Sequence, residues 1–424
     1  VKLKSRRKLV NYLNILDQPI RFNPFLFSRT FFLWAILGLL GGLIAGVYWI
    51  VLEVVIGFLG QFEGWLVVPT MTISGLLAGL IIHLIGDPGE ISLIVNNIRF
   101  NKGKLDPKRN PSMILSSLLC VGSGGSLGPE APLVQVTGST GTWLGKLFRL
   151  KGEELRSMSI AGMASGFTAL FGAPLGGSLF ALEILHHKHV VQYYRAITPA
   201  LVSSLFSYMV FALIISLGLG ALWEVPVYEY KGMFDFGLAV IYGVIAAAVG
   251  WFFIYLTKGF KKIFEWKKLP IYIKMMIGGI FLGFISYAFP ITRYFSHYEV
   301  NELLTTSYTV TMLFAILFFK ITAISITVTS GWRGGFIIPL FFVGATTGLI
   351  ISELFPHINT SLAIICSMAA INATVTRTPM STTILVATLT GFTYLIPILF
   401  ASLTGYFLAP KLPFIKAQLK NTAG

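Results

Sequence analysis

Charge is scarce in this chain, and negative charge most of all: 12% of its 424 residues are Asp, Glu, Lys or Arg, and 17 acids stand against 32 bases. With 55% hydrophobic residues and a mean hydropathy of +0.78, so little charge excludes a single water-soluble globule. The two cysteines, Cys120 and Cys366, both lie in apolar helical context, which excludes a disulfide framework and a thiolate zinc site and leaves buried, inert thiols. Histidine is sparse too: of six, His186, His187 and His189 share one His-His-Lys-His run with no acid or cysteine beside it. That run reads as a polar interfacial loop, so no metal is expected. A cleavable secretory signal is also missing, because residues 2–21 are basic and mixed ahead of the first long apolar run.

What is present fits a multi-pass membrane protein. Apolar runs at 31–59, 193–219, 234–256 and 309–329 are each long enough to cross a hydrocarbon core. The net charge of +15 sits at the ends of such runs, in clusters at 2–8, 99–109, 258–268 and 411–420, rather than along one amphipathic face. This excludes nucleic acid as the partner and, by the positive-inside rule, places both termini in the cytoplasm. Glu224 and Glu229 fall in the aromatic stretch 222–230, read as an outer loop with an aromatic belt. Between 111 and 185, and again between 336 and 408, apolar pieces expected to be of half-span length are separated by Gly-rich or Pro-containing breaks. Backbone groups freed at such breaks cannot face lipid and must line protein or a watery cavity.

The breaks come in pairs. Gly128-Pro129-Glu130-Ala131-Pro132-Leu133 matches Gly335-Phe336-Ile337-Ile338-Pro339-Leu340 at an offset of 335 − 128 = 207, and Ala173-Pro174-Leu175 matches Thr378-Pro379-Met380 at 379 − 174 = 205. Interrupted helices at corresponding positions of two halves indicate an internal repeat with a binding site at its interface. A glycine-rich break running into a helix presents open N–H groups and the positive end of the helix dipole, which suits an anion. Amide dipoles also hold an ion without the full cationic charge that would prevent its release. Glu130, a lone carboxylate inside this apolar setting, is costly and is therefore read as functional.

These residues carry a resemblance to the CLC family of chloride channels and chloride/proton antiporters, over about residues 31–419. Ser126-Leu127-Gly128-Pro129-Glu130-Ala131-Pro132 resembles the family's Gly-Arg/Lys-Glu-Gly-Pro motif. Gly335-Phe336-Ile337-Ile338-Pro339 resembles its Gly-x-Phe-x-Pro motif, and Phe171-Gly172-Ala173-Pro174-Leu175-Gly176-Gly177 its Asn-Ala-Pro-Leu-Ala-Gly turn. The resemblance implies an all-α inverted repeat of tilted and broken transmembrane helices. It divides the chain into a basic cytoplasmic segment 1–30, repeat halves 31–220 and 234–410, and a cytoplasmic tail 411–424 with no soluble regulatory domain. It further implies a homodimer in the cell membrane, with an anion pore in each subunit and lipid around it, chloride as the bound substrate and no cofactor.

By the same resemblance Glu130 is the gating carboxylate, competing with anions and moving aside when protonated. Gly128, Pro129, Glu130, Ala131, Gly335, Phe336 and Ile337 surround the anion, and Phe414 takes the place of the family's central tyrosine without its hydroxyl. The family's central serine has no counterpart in Gly86-Asp87-Pro88-Gly89-Glu90-Ile91, and Asp87 and Glu90 read as solvated loop charges. The internal proton glutamate of the antiporters falls on Ile184, with Glu183 as the adjacent candidate, turned about 100° away on a helix. The resulting expectation is passive, voltage-biased or weakly proton-coupled chloride conduction rather than enzyme chemistry. Chloride/proton antiport and transport of fluoride or another small anion are the alternatives. Arg333 is balanced between a membrane-face anchor and an anion funnel, and Arg377 is expected to pair with an acid.

Overall fold

The computed structural model describes residues 28–89, 91–100, 103–185, 190–216, 222–226, 232–266 and 269–418. It divides into two compact units, Val1–Leu33 and Trp34–Gly424. In the first, the hydroxyl of Ser28 accepts from the amide of Phe31 at 3.2 Å as a helix begins. The rest concerns the second unit.

The helices of the first half are α1 (Arg29–Gly60), α2 (Val67–Ile85), α3 (Ile91–Phe100), α4 (Asn110–Gly122), α5 (Glu130–Leu147), α6 (Gly152–Phe171), α7 (Pro174–Glu183) and α8 (Val190–Ile215). Those of the second are α9 (Met233–Trp266), α10 (Ile271–Ala288), α11 (Glu299–Thr305), α12 (Val310–Ser330), α13 (Ile337–Leu354), α14 (Thr360–Thr376), α15 (Pro379–Thr390) and α16 (Leu395–Phe407). Among the described residues seven helices are long and apolar enough to cross a membrane, α13 among them.

The repeat shows in the helix boundaries. Helices α5 and α13 are both 18 residues long and begin 337 − 130 = 207 residues apart, the offset of the paired glycine breaks. Helices α7 and α15 both start on a proline, which loses no hydrogen bond in a first turn. Each is preceded by a left-handed residue closing the helix before it: Gly172 at φ 62° and Arg377 at φ 61°, 377 − 172 = 205 apart.

Packing repeats as well. Helix α5 lies on α6 as α13 lies on α14, and α6 lies on α8 as α14 lies on α16. Equivalent helices also meet each other, α2 against α10 and α7 against α15. The α2–α10 contact is close because Gly75 and Gly79 lie against the backbone of Met275 and Tyr272, and Gly279 and Gly283 against that of Met71 and Val68. A Cβ on Gly75 would stand 2.4 Å from the carbonyl oxygen of Met275, and one on Gly279 would stand 2.4 Å from that of Met71. The four-residue spacing of small residues is the one that lets membrane helices touch backbone to backbone.

Two expectations need correction. The interrupted segments are not all of half-span length: α5, α6 and α13 have 18, 20 and 18 residues, about 27 to 30 Å each. Glycine and serine lower the local hydropathy of α5 and α6, and both cover the distance nonetheless. Trp223, assigned to an interfacial belt, is instead a core anchor. Its ring packs on Phe341 at 5.7 Å, and its indole N–H donates to the carbonyl of His297 at 3.1 Å. Glu229 and the His186–His189 run lie outside the described residues, as do Lys2–Lys8 and residues 419–424 of the tail.

Candidate anion site at paired helix termini

Neither α5 nor α13 has a side-chain cap. Each therefore presents its first amides to whatever lies at its start. The two starts are tied together by the segments that precede them. Gly128 N donates to Gly335 O at 2.8 Å and Gly335 N donates to Gly128 O at 2.7 Å, an isolated antiparallel bridge. Residues at matching positions of the two motifs thus exchange both hydrogen bonds.

Glu130, the first residue of α5, is fully buried there. Its Oε1 accepts from Ile338 N, in the first turn of α13, at 3.0 Å. Its Oε2 has no hydrogen-bond partner among the described residues. A Cβ on Gly128 would lie 2.2 Å from Oε2 and one on Gly335 2.3 Å, so the carboxylate fills the space that these two glycines leave. Pro129, Ala131 and Ile337 close the seat as buried neighbours. In chemical terms, a negatively charged group sits against converging helix N-termini, an arrangement that also holds a free anion.

Phe336 caps α13, and its ring meets that of Phe414 at 5.1 Å and 81°. Phe414 packs in turn on Phe253 at 5.2 Å. The structure thus brings Gly128, Pro129, Glu130, Ala131, Gly335, Phe336 and Ile337 together, with Phe414 reaching them through the ring of Phe336. It adds the amide of Ile338.

Glu183 and Ile184 are not part of this seat. The carboxylate of Glu183 accepts from Met380 N at 3.1 Å and from Ser381 N and Ser381 Oγ at 2.7 Å each, capping the start of α15. Ile184 is buried, and its carbonyl accepts from the amide of Gln418 at 3.2 Å. Glu130 and Glu183 therefore each reach across to a helix N-terminus of the second half.

One further expectation is revised. Arg333 is no membrane-face anchor: it is buried and salt-bridged at 2.8 Å to Asp87, a loop residue whose side chain is 66% exposed. Glu90 lies outside the described residues. Arg377 donates to the carbonyl of Pro410. Cys120 and Cys366 are buried free thiols. Among the described residues no group of three or more His, Cys, Asp or Glu side chains is placed to hold a metal ion.

A sequence profile of the voltage gated chloride channel family matches residues 74–410. An uncharacterized protein of Methanocaldococcus jannaschii is 28% identical over 374 residues, covering 88% of this chain and 92% of its own. In solved structures the fold is shared with a CLC-type fluoride/proton antiporter, at a TM-score of 0.82 and 20% identity over 94% of this chain and 99% of the other. It is shared equally with a slow cyanobacterial chloride/proton antiporter, at a TM-score of 0.80 and 20% identity over 92% and 96%. With broken helices meeting at a glycine bridge and a profile match over most of its length, this chain belongs to the voltage gated chloride channel family and is an anion transport protein of the membrane.

Proposed function

We propose that this chain conducts chloride through a pore in each subunit of a homodimer, gated by the Glu130 carboxylate, channel-like or with weak proton coupling. One observation carries the reading: Glu130 Oε1 accepts from Ile338 N at 3.0 Å while Oε2 fills the gap between Gly128 and Gly335. A carboxylate in that seat excludes a free anion by charge and by volume. Protonation removes its charge and releases the amides to the ion, so anion flux rises as pH falls. Phe336 and Phe414 form an apolar constriction beside the seat and contribute no hydroxyl. Both termini are assigned to the cytoplasm and the protein to the cell membrane, on the placement of the basic clusters.

Proton-coupled exchange is the second reading, favoured by the antiporter function of both solved neighbours. It requires a second proton-carrying group. Ile184 offers none, and the adjacent Glu183 is engaged at the start of α15. Fluoride is the alternative cargo, since one of those neighbours carries it. Proton and anion fluxes recorded together in liposomes, with the anion gradient and the membrane potential set independently, test the two mechanisms. Anion flux without uphill proton movement is expected, and uphill proton movement would establish exchange. Repeating the assay with fluoride, bromide and nitrate ranks the cargo.

A further inference from the structure

After α16 the chain runs on to Gln418 without a further α-helix, yet every fourth residue of it is fastened. Pro410 accepts through its carbonyl from the guanidinium of Arg377. Phe414 packs on Phe336 at 5.1 Å and on Phe253 at 5.2 Å. Gln418 is 7% exposed, and its Nε2 donates to Thr376 O at 2.9 Å and to Ile184 O at 3.2 Å. Thr376 and Arg377 are consecutive, so the loop 410–418 leaves and rejoins the same end of α14 with Phe414 at its midpoint.

Gln418 supplies what two helix ends lack. Thr376 is the last residue of α14 and Ile184 closes α7, and carbonyls of a last turn have no partner within their own helix. One side-chain amide thus serves a helix of each half. The same residue is tied to the loop, because Gln418 N donates at 2.9 Å to the carbonyl of Ile415, the buried neighbour of Phe414. Helix α3 packs on residues 416–418 and keeps this end of the loop in place, while the amide sets its register against both halves.

We propose that Gln418 is a positioning residue for the anion pathway: it latches the loop 410–418 so that the Phe414 ring stays against Phe336 and narrows the passage to small anions. The inference rests on reading Phe336 and Phe414 as the constriction beside the Glu130 seat, and it assigns the position of that ring to a side chain four residues away. Both latch bonds are neutral, from an amide to carbonyls. The latch therefore sets the width of the passage and leaves its response to pH to Glu130.

The test is anion flux in liposomes holding the full-length chain, with chloride and with the larger nitrate, for Gln418→Met, Phe414→Ala and the two combined. Methionine is close to glutamine in length and has no N–H to donate. Gln418→Met is expected to raise chloride flux about fivefold, the shift in a two-state equilibrium that follows from losing the net free energy of one ordinary hydrogen bond. Nitrate flux rises further than chloride flux, and the pH dependence stays that of wild type. Phe414→Ala has the same effect, and Gln418→Met adds nothing to it. Gln418→Ser serves equally should the methionine variant elute abnormally. Wild-type flux and nitrate-to-chloride ratio in a normally eluting Gln418 variant, where Phe414→Ala changes both, would overturn the latch alone, as would a Gln418→Met effect that persists in full without the Phe414 ring. Wild-type behaviour of Phe414→Ala would remove the constriction, and the latch with it.

Discussion

A Cβ on Gly128 would stand 2.2 Å from Glu130 Oε2 and 2.8 Å from its Cδ, so Gly128→Ala leaves the carboxylate no room in its seat. The backbone at Gly128 does not have a positive φ, and alanine carries no conformational penalty there. The variant is therefore expected to fold and to lose most of the pH dependence of its anion flux, read by chloride efflux from liposomes at several pH values. Phe414→Tyr tests the other side of the site. A hydroxyl added beside Phe336 supplies the donor that the constriction lacks, and tighter chloride binding by calorimetry is expected, with unchanged affinity placing Phe414 away from the ion. Glu130, Gly128 and Gly335 were legible because a charge between prolines and a glycine break recurred at one offset. The Asp87–Arg333 pair was not, since its partners lie 246 residues apart and neither belongs to a repeated motif.

Helix starts decide much of the element-scale behaviour. Asn359 caps α14, its Oδ1 accepting from Leu362 N at 2.8 Å. Asn359→Ala is expected to cost about 1 kcal/mol, read as a lowered unfolding temperature in detergent with transport retained. Glu183 serves α15 as a cap supplied from another helix. Glu183→Ala leaves the Met380 and Ser381 amides without their acceptor, and a loss of about 1 to 3 kcal/mol is expected in the same assay. If stability holds but any proton flux disappears, Glu183 is a relay instead of a cap. The long helices were legible from hydropathy alone, as α1 and α12 show. Helices α5 and α6 were underestimated, because the glycines and serines that let them pack closely also dilute the apolar signal by which spans are recognised. Trp223 was misplaced for a related reason: composition marks an aromatic as interfacial, and only its contact with Phe341 and its bond to the His297 carbonyl reveal a core position.

At the scale of the molecule, two halves with matching helix boundaries meet where Gly128 and Gly335 exchange hydrogen bonds, and the start of α13 receives a carboxylate carried by α5. The repeat was readable in outline because two motif pairs kept offsets of 207 and 205. The glycine bridge was not, since no sequence pattern states that equivalent glycines touch. On the proposed reading, protonation of that one carboxylate is enough to open the seat. The most direct measurement is chloride flux in liposomes as a function of pH, for wild type and Glu130→Gln, with both proteins eluting alike in detergent. The carboxylate gate requires wild-type flux to rise as pH falls and Glu130→Gln flux to be high and nearly flat. A Glu130→Gln protein that keeps the wild-type pH profile would contradict it.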